Sequence, residues 1–306
     1  MTTLDVGPLI LGGNVFGWTA DRDDSFAVLD AFVAAGGRAI DTADVYSAWV
    51  PGHTGGESET IIGEWLAARP GVREQIVIGT KVFQHPERAG LAPANIRAAL
   101  DDSLRRLQTD FVDIYYAHRD DPDVAQLDYL TAFDELVREG KVRTIGISAF
   151  STERIASAVS TAAGANLTPI SYSQDEYNLV SRDIENGALP VIAAAGIAEV
   201  PYFALAAGFL TGKYRPGKTV QSERLNRVTP HLENPRDVAV LDVLDGIAAA
   251  HRVPVAAVSL AWLRAQPVVA APIASARTTE QLEALVASFS LQLTDVEVAT
   301  LTQASA

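Results

Sequence analysis

Apolar, β-branched runs alternate with helix-period segments from one end of this 306-residue chain to the other, and that alternation limits the folds open to it. Strand-like runs fall at residues 9–13, 38–43, 76–82, 112–118, 144–148, 170–174, 197–203 and 268–275. Both faces of most are apolar, as strands buried between two helical layers require. Between them, segments such as 93–107 repeat apolar residues at three- and four-residue steps: Ile96, Leu100, Leu104, Leu107. Residues 24–35, 58–68, 128–139, 152–163, 235–251 and 279–287 behave alike. Ser151 or Thr152, Pro93 and Pro235 mark helix starts, while Gly36-Gly37, Gly71, Gly140 and Gly164 mark stops. Eight βα units favour a closed ring over an open sheet. An open dinucleotide-binding sheet would announce itself with Gly-x-Gly-x-x-Gly after the first strand, and Leu11-Gly12-Gly13-Asn14-Val15-Phe16-Gly17 lacks that spacing. The expected architecture is an α/β (β/α)8 TIM barrel, a single domain over residues 1–306.

Four chemistry-bearing residues sit at or just past strand ends. Asp41 closes Ala39-Ile40-Asp41 and leads to Tyr46. Lys81 ends Ile76-Val77-Ile78-Gly79-Thr80-Lys81, and His118 ends Val112-Asp113-Ile114-Tyr115-Tyr116-Ala117-His118. The steps of 35 residues from Tyr46 to Lys81 and 37 from Lys81 to His118 each fit one βα unit. In a parallel barrel these strand ends share one rim, where active sites are built. Taken singly, Asp41 could cap a turn, Tyr46 could be packing and His118 a loop residue. Lys81 is harder to dismiss, because a buried ammonium is costly without an anion, and Asp41 is the natural partner. The expected roles follow from charge: Asp41 holds Lys81, and Lys81 lowers the Tyr46 pKa so that the phenol becomes a usable acid. His118 donates a hydrogen bond to a carbonyl oxygen. Such a site protonates an oxygen but holds no hydride source, so a redox cofactor is expected.

The composition narrows the partners. A formal net charge of −14 opposes non-specific binding to nucleic acid or an anionic membrane. With 48% hydrophobic and 20% charged residues the chain reads as an ordinary core-forming protein. The absence of cysteine excludes disulfides, thiolate metal sites and cysteine nucleophiles, and no metal is expected. No apolar stretch approaches the roughly 20 residues of a membrane span. Met1-Thr2-Thr3-Leu4-Asp5 lacks the basic and apolar pattern of a secretory signal, so a cytoplasmic location is expected.

The segments Asp41-Thr42-Ala43-Asp44-Val45-Tyr46, Gly79-Thr80-Lys81 and Asp113 to His118 resemble those of the aldo-keto reductases. So do Gly146-Ile147-Ser148, Gln174-Asp175-Glu176-Tyr177-Asn178, the run from Tyr202 to Tyr214, and Arg277-Thr278-Thr279-Glu280-Gln281-Leu282. The resemblance implies a barrel that binds NADPH without a Rossmann motif and passes hydride to an aldehyde or ketone, with Tyr46 as acid. It implies that Tyr202 stacks on the nicotinamide, that Ser148 and Gln174 hold its carboxamide, and that Gly13 and Asp41 border the cofactor. Phe203, Ala204, Leu205, Ala207, Gly208 and Lys213 would take the pyrophosphate stretch. Ser275, Arg277 and Gln281 would face the 2′-phosphate and adenosine end, Arg224 would also bind the cofactor, and an anion near a helix N-terminus suits Arg277. The chain departs from the family pattern at Ala149, Phe203-Ala204 and Ala284-Leu285, which puts the grip on the cofactor, not the four strand-end residues, in question. Trp18, Trp49 and Phe83 follow the first three strands and are expected to line a pocket for a small carbonyl compound. The glycine-rich insert 47–57 around His53 would fold over it, or Trp49 and His53 would only pack this loop. The stretch 213–234 reads as the longest loop, and little chain is left for a C-terminal lid. Two other readings are open: an NADP(H)-binding regulatory subunit with little turnover, and an isomerase or lyase that uses Tyr46 and Lys81 without nicotinamide.

Overall fold

A computed structural model describes residues 4–218, 220 and 224–306. Met1 to Thr3, and with them the start of the expected leaderless N-terminus, lie outside the described residues, as do residues 219 and 221–223 of the expected loop. Eight parallel strands make the sheet: β1 Ile10–Gly12, β2 Ala39–Asp41, β3 Val77–Val82, β4 Val112–Ala117, β5 Val142–Ser148, β6 Ile170–Gln174, β7 Ala198–Glu199 and β8 Ile273–Ala274. They neighbour one another in chain order, and β8 returns beside β1 with Ile10 opposite Ile273. The seam between β7 and β8 is sewn by the Glu199 amide on Val268 O at 2.9 Å and the Ala270 amide on Glu199 O at 2.8 Å. A third bond, from the Ile273 amide to Pro201 O at 2.8 Å, completes the ring.

Alternate strand positions fill the barrel. Ile10, Ala39, Ile114, Tyr116, Tyr172, Val200 and Ile273 form one cluster there. Tyr116 fits because its neighbours lack side chains: a Cβ at Gly146 would stand 2.2 Å from its ring, and one at Gly79 would stand 3.1 Å away. Any larger residue at 146 displaces the ring from the barrel. The other strand faces pack on the helices in a second, larger cluster.

The helices are α1 Arg22–Ala34, α2 Glu57–Ala67, α3 Pro93–Leu107, α4 Gln126–Arg138, α5 Thr152–Gly164, α6 Ala188–Ala195, α7 Leu225–Glu233, α8 Pro235–His251, α9 Val255–Arg264, α10 Thr279–Val286 and α11 Asp295–Ala304. Side chains of Asp21, Ser151 and Thr278 accept backbone hydrogen bonds at the starts of α1, α5 and α10, and Pro93 and Pro235 open α3 and α8. Two expectations change. The stretch 213–234 contains α7, which buries Val228 and carries Pro230 within it. The seventh and eighth ladders shrink to two residues each, because Pro201 and Pro272 within the expected runs have no N–H to donate. The chain after α10 folds as α11 and is fixed beside α8 and α9: His251 Nε2 lies 2.7 Å from Glu297 Oε1, and Trp262 Nε1 donates to Thr302 Oγ1 at 3.0 Å. Among the described residues no single helix is long and apolar enough to cross a membrane.

Candidate active site

Lys81 lies at the end of β3 with none of its side chain exposed. Its ammonium donates three hydrogen bonds: to Asp41 Oδ2 at 2.6 Å, to Thr42 O at 2.8 Å and to the Tyr46 hydroxyl at 2.8 Å. Tyr46 donates in turn to Asp41 Oδ2 at 3.1 Å, and Gln174 Nε2 donates to Asp41 Oδ1 at 3.0 Å. The expected pairing of Asp41, Lys81 and Tyr46 is therefore present, and β6 joins it through Gln174. His118 follows β4, its amide bonded to Val82 O at 2.9 Å, and its ring centroid lies 6.1 Å from that of Tyr46. Tyr46 is carried on the loop after β2. Ser47, held in a left-handed conformation at φ 72° and donating to Phe16 O at 2.8 Å, fixes that loop.

The charge states differ from the sequence expectation at one point. Burial, with the Asp41 carboxylate close by, pushes the Tyr46 phenol well above its ordinary value, where Lys81 alone was expected to lower it. Tyr46 is thus held firmly protonated. Burial draws the Lys81 ammonium down, and Asp41, Asp44 and Glu59 counter it. Burial, Lys81 and Arg119 hold His118 well below the usual imidazole range, so it is neutral at physiological pH. Its Nδ1 is buried without a hydrogen-bond partner among the described residues.

A second layer of acids, not singled out in the sequence, backs Lys81. Glu59 accepts from Thr80 Oγ1 at 2.5 Å and from Arg106 Nε at 2.7 Å. Asp44 is wholly buried, and neither carboxylate oxygen has a hydrogen-bond partner among the described residues. Burial, then the nearby Glu59, push its carboxyl up to about 7 from 3.8. A folded-state pKa above the unfolded value means that the folded protein holds this proton more tightly. The associated stability is complete below about pH 4 and lost as pH rises through about 7. Asp44→Asn, fixed in the neutral form, is expected to flatten the profile of Tm against pH across that window, by about 4 kcal/mol at most. Superimposable profiles for the two proteins would refute a titrating Asp44.

The remaining expected residues ring the same rim. Ser148 and Gln174 end β5 and β6 and are buried, while Tyr202 follows β7 with its amide on Asp175 O at 2.9 Å. Gly13 begins a short 3-10 turn, and its carbonyl accepts from Ser58 Oγ at 2.8 Å. From Phe203 the backbone is irregular: Phe203, Ala206, Ala207 and Gly208 all have positive φ. The run closes on itself, the Ala206 amide donating to Phe203 O at 2.7 Å and the Gly208 amide to Leu205 O at 2.8 Å. Ala204 is buried and Leu205 half-buried. Lys213 lies over the Tyr214 ring at 4.6 Å and Arg227 over Phe203 at 5.2 Å. Ser275 donates to Asn14 Oδ1 at 2.6 Å across the β1–β8 junction, and Gln281 Oε1 accepts from the Arg277 amide at 3.1 Å. Leu285 is buried in the core, so the departure at Ala284-Leu285 places an apolar contact inside the fold. Arg224 is partly buried, and the charges of Arg277 and Arg227 press on it. Three arginines gathered in a chain of net charge −14 suit an anionic ligand.

Trp49 stands 6.2 Å from Tyr46 and so adjoins the phenol, and Trp18 meets Trp49 edge to face at 5.6 Å. Phe83 follows Lys81 by two residues, half-buried and at φ 143°. In the 47–57 insert, Glu57 Oε1 accepts from the Thr54 amide at 2.8 Å, and His53 Nδ1 is buried. The insert packs on itself at that end and shows Trp49, 48% exposed, toward the rim.

Asp41, Lys81, Tyr46 and a neutral His118 thus stand together at the strand ends of an eight-stranded barrel. The Aldo/keto reductase family profile matches residues 8–306. The chain is 34% identical to Protein tas of Escherichia coli, over 96% of this chain and 92% of that one. It is 30% identical to an aryl-alcohol dehydrogenase of Pestalotiopsis microspora, covering 96% and 77%, and 32% identical to a norsolorinic acid reductase of Emericella nidulans, covering 96% and 76%. The chain belongs to the aldo/keto reductase family and is an oxidoreductase acting on small molecules.

Proposed function

We propose that this protein, acting as one barrel domain, reduces an aldehyde or ketone to the alcohol with NADPH, and that Tyr46 supplies the proton. The observation that carries the reading is the closed set of bonds joining Lys81, Asp41 and Tyr46 beside a neutral His118. The cofactor, when bound, supplies hydride to the carbonyl carbon. Neutral His118 donates a hydrogen bond that orients the carbonyl oxygen toward Tyr46. As charge builds on that oxygen it approaches an alkoxide, a much stronger base than a phenolate. A phenol held above its ordinary value still gives up its proton to such a base. The phenolate left behind faces the Lys81 ammonium at 2.8 Å, and that attraction is strongest when the transfer is complete.

The residues present fit an anionic dinucleotide. Tyr202 offers a ring for stacking, Ser148 and Gln174 polar groups for the carboxamide, and the run Phe203, Ala204, Leu205, Ala207 and Gly208, with the Lys213 cation, a path for the pyrophosphate. Arg224, Arg277, Ser275 and Gln281 gather at the far end. Gly13 and Asp41 border the cleft. For the substrate, Trp18 and Trp49 favour a flat, aromatic carbonyl compound, and a relative carrying the name aryl-alcohol dehydrogenase supports that class.

Fluorescence titration with NADPH, followed by NADPH oxidation over a panel of aromatic and aliphatic aldehydes and ketones, tests the reading. No binding at micromolar NADPH would overturn it, and binding without turnover would turn it toward a sensor. Arg277→Ala is expected to weaken NADPH by tenfold or more, the worth of a charge-assisted hydrogen bond, and to leave NADH affinity unchanged. Equal weakening of both cofactors would remove Arg277 from the 2′-phosphate.

A further inference from the structure

We propose that Asp175 is the positioning residue for the nicotinamide end of the cofactor cleft, joining three separate strand ends from a seat on Glu199. The inference rests on the NADPH reading above and deepens it. All four polar groups of Asp175 are engaged. Its Oδ1 accepts from the Ala149 amide at 3.1 Å, and its Oδ2 accepts from the Ser173 hydroxyl at 2.5 Å. Its amide donates to Glu199 Oε1 at 3.0 Å, and its carbonyl accepts from the Tyr202 amide at 2.9 Å. The residues assigned to the nicotinamide are thus its direct neighbours. Gln174 precedes it in the chain, Ser148 precedes the Ala149 it grips, and Tyr202 hangs from its carbonyl.

Ala149 explains why a grip is needed there. It sits in the left-handed region at φ 54°, a strained place for a residue with a Cβ and no polar side chain to compensate. Its amide has two acceptors, Gln174 O at 3.2 Å and the Asp175 carboxylate. Burial raises the Asp175 carboxyl and the bonds from Ser173 and Ala149 draw it back, so the donors favour its charged form, whose hydrogen bonds are stronger than a neutral acceptor's. Glu199 makes the arrangement tolerable. It is wholly buried on β7, and burial together with Asp175 pushes its carboxyl well above the ordinary value. That shift favours the acid form, so Oε1 accepts the Asp175 amide with less repulsion between the two acids, while Oε2 is buried with no hydrogen-bond partner among the described residues. Neither acid touches Asp41, Tyr46, Lys81 or His118 in the contacts described. Their task is therefore the placement of the ring that hydride leaves.

The test compares two ligands on wild type, Asp175→Ala and Asp175→Asn by fluorescence and calorimetric titration: NADPH, and 2′,5′-ADP, which carries only the adenosine end. Asp175→Ala is expected to weaken NADPH about tenfold, the value of one hydrogen bond to a charged group, and to leave 2′,5′-ADP unchanged. Asp175→Asn, whose Oδ1 still accepts from Ala149, is expected to stay within about threefold of wild type for both ligands. Should Asp175→Ala fail to fold, Asp175→Ser, too short to span to Ala149, carries the same expectation. An unchanged NADPH affinity in Asp175→Ala, or equal losses for both ligands, would overturn the positioning role. A wild type that does not bind NADPH would overturn the cofactor reading and this inference with it, before any variant is made.

Discussion

Tyr46→Phe is expected to lower turnover of any accepted carbonyl compound by about 100- to 10,000-fold, the range for loss of a positioned general acid, while NADPH binds as before. The variant keeps the ring, its 6.1 Å approach to His118 and its place beside Trp49, and deletes only the oxygen between Lys81 and Asp41. Single-turnover hydride transfer, followed by cofactor absorbance with saturating NADPH, isolates the step. A variant that turns over within a few fold of wild type would remove Tyr46 as the acid and send the proton's origin to His118 or water. Since burial and Asp41 hold the phenol protonated, no loss of wild-type rate through Tyr46 ionisation is expected in the neutral range, and a flat alkaline limb there is part of the same expectation.

Asp41→Ala is expected to destabilise the protein by about 3–5 kcal/mol, the cost of leaving a buried charge without its partner. Lys81 has none of its side chain exposed and Asp41 only 5%, so water cannot replace the lost carboxylate without opening the barrel wall. The double variant Asp41→Ala/Lys81→Met, which removes both charges and restores apolar volume, should recover most of that stability and remain inactive. Urea unfolding of the three proteins decides the matter. A single variant as stable as wild type would mean that the ammonium is neutral in the fold. Equal losses in the single and double variants would mean that packing, not charge, accounts for the effect.

The four strand-end residues were legible because their chemistry is conspicuous against the apolar runs that deliver them and their spacing matches a βα unit. Helices α3 and α8 were legible to the residue, since Pro93 and Pro235 fix their starts. Helix α9 was not: nearly every residue from Ala256 to Leu263 is buried, so it shows no polar stripe. Pro230 made α7 read as loop, and Pro190 stands inside the short, apolar α6. The direction of the Tyr46 shift was missed because the sequence shows the Lys81 charge but not how deep the phenol lies or how close Asp41 comes. Glu199, set among Ile197, Ala198 and Val200, did carry a signal. An acid within an apolar strand needs a partner or a proton; Glu199 has the Asp175 amide on Oε1, and burial beside Asp175 favours the proton as well.

The Lys81 ammonium has three hydrogens, and all three are spent on Asp41, Thr42 and Tyr46. None is left for a guest. The phenolic hydrogen rests on Asp41 and is the one hydrogen of this triangle that can swing outward. On the proposed reading, a prochiral ketone meets that one hydrogen with His118 beside it and Trp49 at its edge. On the same reading, the handedness of the alcohol follows from which side group of the ketone fits beside Trp49, so a change at Trp49 is expected to bear on product handedness where a change at Lys81 bears on whether there is product at all.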